Sequence, residues 1–175
     1  MKREVILKGK GFIIRPYRKD DYISIAENAN NKKIAKNLSN SFPSPYTEKD
    51  AKEWVTKAIK SNKKNVPNFV IDVDGKAVGT IGSMTQTSFM MSFGYWLGEK
   101  YWGKGIISEA VKLYLKHCFK TYKNIQRIEA FTFPWNKASQ KVLLKNGLEF
   151  EGISRKAYMK DGKLVDRHMF SILRK

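Results

Sequence analysis

Gly94-Tyr95-Trp96-Leu97-Gly98-Glu99-Lys100-Tyr101-Trp102-Gly103-Lys104-Gly105-Ile106-Ile107-Ser108 is the stretch on which the reading of this chain turns. An apolar strand runs into a tight loop with glycines two residues apart. The loop opens onto a segment with helical periodicity at Ile107, Val111, Leu115, Cys118 and Phe119. Glycine lets the main chain approach a bulky anion with no Cβ in the way, and a helix N-terminus adds unpaired N–H donors and about half a unit of positive charge. A pyrophosphate suits such a bend, and Lys100 and Lys104 add charge beside it. On its own, Gly103-Lys104-Gly105 is more often a turn than a ligand cradle. It lacks the Gly-x-Gly-x-x-Gly of a dinucleotide fold and the Gly-Lys-Ser/Thr ending of a triphosphate loop.

Upstream, Phe69-Val70-Ile71-Asp72-Val73, the turn Asp74-Gly75 and Ala77 to Ile81 predict a hairpin, which Phe89 to Leu97 extends into a meander. Nearer the start, Phe12 to Arg15 reads as a short strand ended by Pro16. Asp20 or Asp21 then offers an N-cap for a helix carrying Tyr22, Ile25 and Ala26. Ser41 to Pro45 is a loop, and Thr47-Glu48-Lys49-Asp50 is a capping-box-like start for a helix through Trp54, Val55, Ala58 and Ile59. Downstream, Ser108 is expected to cap a helix running to about Tyr122, followed by a strand from Ile128 to Phe133. A helix from Ala138 to Lys145 closes at Asn146-Gly147, and Asp161-Gly162 turns a hairpin between Phe150 to Met159 and Leu164 to Leu173. Strand, loop, helix and strand in that order imply a parallel crossover in a mixed sheet flanked by helices.

The chain has 175 residues, 42% of them hydrophobic, which predicts one compact domain over residues 1–175. It has no uninterrupted apolar run of about 18 residues, and Met1-Lys2-Arg3-Glu4 does not open a signal-peptide stretch, so a cytosolic (cytoplasmic) protein with no membrane partner is expected. Cys118 lies on the apolar face of its segment and reads as a buried thiol. His117 and His168 have no paired ligand spacing, so no metal is expected. The net charge of +18 favours anionic partners such as a nucleotide cofactor, RNA or an acidic protein surface, without choosing among them. The basic residues are spread along the whole chain, as on a surface that is merely lysine-rich.

Arg15-Pro16 with Asp20-Asp21, Gly75 to Gly82, Gly94-Tyr95-Trp96-Leu97 and Tyr101-Trp102-Gly103-Lys104-Gly105-Ile106 together resemble, in order, the GCN5-related N-acetyltransferase (GNAT) superfamily. Within it they resemble the branch that acetylates the N-termini of ribosomal proteins. Asn136-Lys137-Ala138-Ser139, Lys145-Asn146-Gly147 and Phe150-Glu151-Gly152 are similar to that branch's second conserved segment. The resemblance implies an α/β fold of mixed α+β character: a mostly antiparallel central sheet of about seven strands flanked by about four helices. It implies acetyl-CoA as co-substrate, bound by Trp96, Leu97, the run Trp102, Gly103, Lys104, Gly105, Ile106, Ile107 and Ser108, and by Asn136 and Ser139 facing the pantetheine arm. Asn136 and Ser139 also suit a plainer role as N-cap and first turn of a helix. The motif usually begins with arginine or glutamine where this chain has Lys100, and ends in glycine or alanine where it has Ile107. Neither change removes a backbone donor.

The same resemblance implies direct attack of a primary amine on the thioester, with the Leu97 N–H facing the thioester oxygen and Ser139 serving the leaving sulfur. Leu143 stands where many members carry a tyrosine acid, and Tyr158 where the branch can place a glutamate; Glu99, Glu129 and Asp166 remain as candidate bases. Tyr95, Trp96, Tyr101 and Trp102 cluster around the loop, as core or as pocket wall, and the region from Asn28 to Tyr46 is expected to shape access for the acceptor. A protein or peptide N-terminus fits the +18 charge better than a polyamine or aminoglycoside, which would be repelled. Two other classes stand beside this reading. One is a coenzyme A sensor without catalysis; the other is a basic RNA-binding module, for which no RNA motif is present, so no direct nucleic-acid function is expected. Relatives of this kind are commonly homodimers.

Overall fold

Runs rich in β-branched and aromatic residues, separated by glycine turns, assemble into one open sheet. The computed structural model describes residues 7–63 and 66–175, so Met1-Lys2-Arg3-Glu4 lies outside the described residues. The strands are β1 (Leu7–Gly9), β2 (Phe12–Arg15), β3 (Asn68–Val73), β4 (Lys76–Gln86), β5 (Met90–Leu97), β6 (Arg127–Thr132), β7 (Glu149–Lys160) and β8 (Lys163–Leu173). Their order across the sheet is β1-β2-β3-β4-β5-β6-β8-β7, with every pairing antiparallel except β5 with β6. The helices are α1 (Tyr22–Ala29), α2 (Lys32–Ala35), α3 (Glu48–Lys63), α4 (Ile106–Thr121) and α5 (Lys137–Lys145). The mixed, mostly antiparallel sheet and the parallel crossover through α4 agree with expectation. The eight strands and five α-helices among the described residues exceed the expected seven and four because β1 and α2 span only three and four residues. Segments that short carry no readable period.

Alternation along the strands gives the sheet two apolar faces. Phe69, Ile71, Phe93 and Leu97 pack with Val111, Tyr114 and Leu115 of α4 and Leu143 of α5 on one face. Val70 and Ala77 pack with Ile25 of α1 and Val55 of α3 on the other, where Trp96 also turns. The helix α3 starts as its sequence suggests: the Thr47 N–H donates to Asp50 Oδ2 at 2.8 Å and the Asp50 N–H to Thr47 Oγ1 at 3.3 Å.

One expected cap stands without its side-chain bond, and another is replaced. Asp21 is the N-cap of α1 but makes no side-chain cap. Its carboxylate accepts from Arg15 Nη1 and Nη2 at 2.9 and 2.8 Å, while Arg15 Nε donates to Asp72 at 2.6 Å. Arg15 is fully buried, and two carboxylates are what keep its charge from being stranded there. Helix α4 is capped by Gly105, in the left-handed region with φ of 78°, three residues before the expected Ser108. The Ser108 hydroxyl lies instead 3.4 Å from Asn146 Nδ2 at the end of α5.

Cys118 is fully buried against Tyr114, and burial pushes its thiol up to about 12. No helix among the described residues is long and apolar enough to cross a membrane.

Candidate active site

The site begins where the sheet comes apart. Strand β5 pairs with β6 only through Met90, Met91 and Ser92, opposite Arg127, Ile128 and Glu129. Its pairing with β4 continues to Leu97, and that of β6 with β8 to Thr132, so β5 and β6 diverge beyond Ser92. The Gly98 N–H donates to Val78 O at 2.8 Å, in the register that sets Leu97 opposite Gly79. In an antiparallel pair the N–H groups alternate sides. Those of Trp96 and Gly98 therefore face β4, and that of Leu97 faces the divergence.

Gly79 permits this approach. A Cβ there would lie 2.5 Å from the Trp96 carbonyl oxygen and 3.0 Å from Leu97 Cα. The carbonyl of Leu97 is held from the other direction by the Trp102 indole N–H, at 2.7 Å.

Past Trp102 the chain turns through Gly103 and Gly105, with φ of 74° and 78°, into α4. Its first backbone bond is Glu109 N–H to Gly105 O at 3.1 Å. Among the described residues, the N–H groups from Gly103 to Ser108 thus have no protein acceptor. A Cβ built on Gly103 or Gly105 meets nothing within 4 Å. Open space beside a row of free donors at a helix N-terminus is an anion cradle, and the phosphates of a nucleotide cofactor fit it.

A cleft of about 1070 Å³ joins these parts. That is just above the usual range of small-molecule sites, about 300–1,000 Å³, and leaves room for two reactants. Of the residues expected to bind the cofactor, Trp96, Leu97, Trp102, Gly103 and Gly105 line it. So do Ile106, Ile107, Ser108, Asn136 and Ser139. Ile106 contributes mainly backbone, since its side chain is buried in the core. Lys104 is not on the lining; its ammonium lies over the Tyr101 ring, 5.4 Å from the centroid. Lys100 pairs with Glu27 at 3.4 Å, with both side chains exposed.

Asn136 Oδ1 accepts from the Ser139 N–H at 3.3 Å, so it caps α5, as the plainer reading of these residues had it, and leaves its Nδ2 donor over. The Ser139 hydroxyl lies 2.8 Å from that of Tyr95 on β5. Burial drives the Tyr95 phenol well above its ordinary value, with the Ser139 contact pulling the other way. In the sequence Tyr95 belongs to an aromatic cluster around the loop, with nothing to mark it out. Its partner is 44 positions away, and no local signal connects them.

The positions noted for proton handling bring no titratable group to the cleft. Leu143 is fully buried in the core. The Tyr158 hydroxyl accepts from the Asn40 N–H at 3.1 Å, tying the β7–β8 hairpin to the loop after α2. Glu99 is held by Lys33 and Asn31, Glu129 by Arg127, and Asp166 by the Lys156 N–H; none of the three lines the cleft. The carboxylates that do are Asp50, engaged by Thr47, and Glu53, one turn before Lys57. On the side away from α4 the cleft is walled by Tyr17, Phe42, Tyr46, Trp54 and Trp96. There Phe42 meets Tyr46 at 4.7 Å and Trp96 edge-on at 6.1 Å.

Residues 12–149 match the family described as the acetyltransferase (GNAT) domain. The chain is 31% identical over 137 residues to an uncharacterized N-acetyltransferase, p20, of Bacillus licheniformis, covering 75% of this chain and 76% of that one. A GNAT-family acetyltransferase of Bacillus anthracis superposes with a TM-score of 0.85 at 26% identity, over 97% of this chain and 98% of that one. The ribosomal-protein-S5-alanine acetyltransferase of Vibrio fischeri does so with a TM-score of 0.83 at 27% identity, over 97% and 96%. Solved structures of the same fold carry acetyl-CoA or coenzyme A. The split sheet, the bare amides before α4 and these likenesses converge, and the chain belongs to the GNAT family of N-acetyltransferases.

Proposed function

We propose that this single-domain acetyltransferase moves an acetyl group from acetyl-CoA onto the N-terminal amine of a protein or peptide. One observation carries the reading: a single cleft runs across the divergence of β5 and β6, with unpaired amides on one side and an aromatic wall on the other. The donor binds on the α4 side. Its pyrophosphate is received by the N–H groups from Gly103 to Ser108, and the side chains of Asn136 and Ser139 meet the arm. The acceptor approaches past Phe42, Tyr46 and Trp96. The thioester supplies the acetyl group.

The Leu97 N–H is a fixed donor for the charge that builds on the carbonyl oxygen as the amine attacks, a kind of interaction worth about 3 kcal/mol when removed. Trp102 and Gly79 hold that donor in place from either side. Ser139 offers its hydroxyl to the departing sulfur. The amine sheds its proton to water in the open cleft, since no carboxylate candidate from the sequence reaches it. Support for a protein acceptor comes from the Vibrio fischeri neighbour, whose own substrate is a ribosomal protein, and from a net charge of +18 suited to an RNA-rich particle.

Thiol release followed with DTNB across N-terminal peptides, polyamines and aminoglycosides tests the acceptor class. Turnover with peptides is expected; turnover with a small polyamine alone would overturn the protein-acceptor reading. Silence across the whole panel, with coenzyme still bound, would point to a sensing role. Gly103→Ala strains a left-handed backbone position by about 1–2 kcal/mol and puts a methyl into the cradle, so coenzyme affinity is expected to fall. Unchanged affinity would remove the loop assignment.

A further inference from the structure

The hydroxyls of Tyr95 and Ser139 bring together the face of β5 that also carries Leu97 and the first turn of α5. Both residues line the cleft. The Ser139 N–H is already taken by Asn136 Oδ1, which fixes the turn on which its side chain rides. A phenol is a stronger acid than an alkyl hydroxyl and so the better donor, while the serine oxygen is the better acceptor. If Tyr95 donates across the 2.8 Å contact, the Ser139 proton must point elsewhere, and the open direction is the cleft.

We propose that Tyr95 is a positioning residue that locks the Ser139 hydroxyl with its proton directed toward the thioester sulfur. The inference rests on the acetyl-transfer reading above and on the role given there to Ser139. As the C–N bond forms and the C–S bond breaks, nitrogen releases one proton to water and sulfur gains one. Ser139 passes its proton to the sulfur and recovers one from water; Tyr95 ends the cycle as it began. The burial that raises the phenol keeps it neutral throughout, which suits a fixed donor and not an acid.

The test compares Tyr95→Phe, Ser139→Ala and the double variant, with folding checked by thermal melting and coenzyme affinity by calorimetry. Tyr95→Phe is expected to lower the rate at saturation about 10- to 100-fold with affinity unchanged, and the double variant to be no slower than Ser139→Ala. A second readout needs no turnover. The ultraviolet absorbance of the thiolate in bound coenzyme A, titrated with pH, reports the thiol pKa. Both single variants are expected to raise it equally above the parent's. A Ser139→Ala variant at the parent's rate would overturn the serine role itself. A slow Ser139→Ala beside a Tyr95→Phe with parental rate and thiol titration would overturn only the role of Tyr95. Losses that multiply in the double variant would show Tyr95 acting independently and would also overturn the inference.

Discussion

The indole N–H of Trp102 donates to the main-chain carbonyl of Leu97 at 2.7 Å, so the residue that leads into the glycine bend also holds the end of the central strand. The glycine bend and the end of β5 are thus tied mechanically. Trp102→Phe keeps an aromatic ring and removes only the tie, worth about 0.5–1.5 kcal/mol. The KM for acetyl-CoA is expected to rise about 3- to 10-fold with little change in melting temperature, measured by steady-state kinetics and calorimetric scanning. An unaltered KM would uncouple the two elements.

Gly79 faces the opposite flank of the same strand. Gly79→Ala sets a methyl against the Trp96 carbonyl and Leu97 Cα, and both obstacles are backbone, so β5 must move. A loss of about 10- to 100-fold in kcat is expected, beside a stability loss of about 1–3 kcal/mol. Chemical denaturation and single-turnover rates separate the two effects.

Much of this architecture is legible in the sequence. The hairpin turns, the glycine bend and the N-cap of α5 are each legible within a dozen residues, because turn chemistry is local, and the meander and the crossover follow from the order of such segments. The divergence of β5 from β6 is not local: it depends on where pairing stops, and Ser92 and Phe93 look alike as strand residues. Tyr95 with Ser139 is a contact between distant segments. Ser108 is not the cap although serine is the commoner N-cap, because a left-handed glycine ends the loop three residues earlier. Tyr158 stands where the resemblance allows a glutamate, and the fold uses it as a tie to Asn40.

Arg15 gives the largest expected loss of stability. Arg15→Met strands Asp21 and Asp72 as buried carboxylates without their cation. Removing one partner of such a group costs about 3–5 kcal/mol. For a chain of this size that lowers the melting temperature by roughly 10 °C. A triple variant that also neutralises both aspartates is expected to recover part of the loss.

Acid sensitivity has a traceable source in Glu151. Hydrogen bonds from Arg127, and then from Ser171, hold its carboxyl well below the usual range, at about 2. A depressed carboxyl contributes stability above its unfolded pKa of about 4.3, and that contribution fades as pH falls toward 2. The pair is partly solvated, so the effect lies in the surface range of about 0.2–1 kcal/mol. Glu151→Gln is expected to match the parent at pH 2 and fall below it at pH 6 in denaturant titrations. A gap of the same size at both pH values would assign the effect to packing instead.

Cys118 is the chain's one sulfhydryl, and it is sealed on the buried face of α4. A reagent that colours on contact with free thiols therefore sees product from the folded enzyme without interference from the catalyst. Once the chain opens, it gains one equivalent per molecule. The same cuvette can follow turnover while the protein is intact and count ruined molecules when it is not.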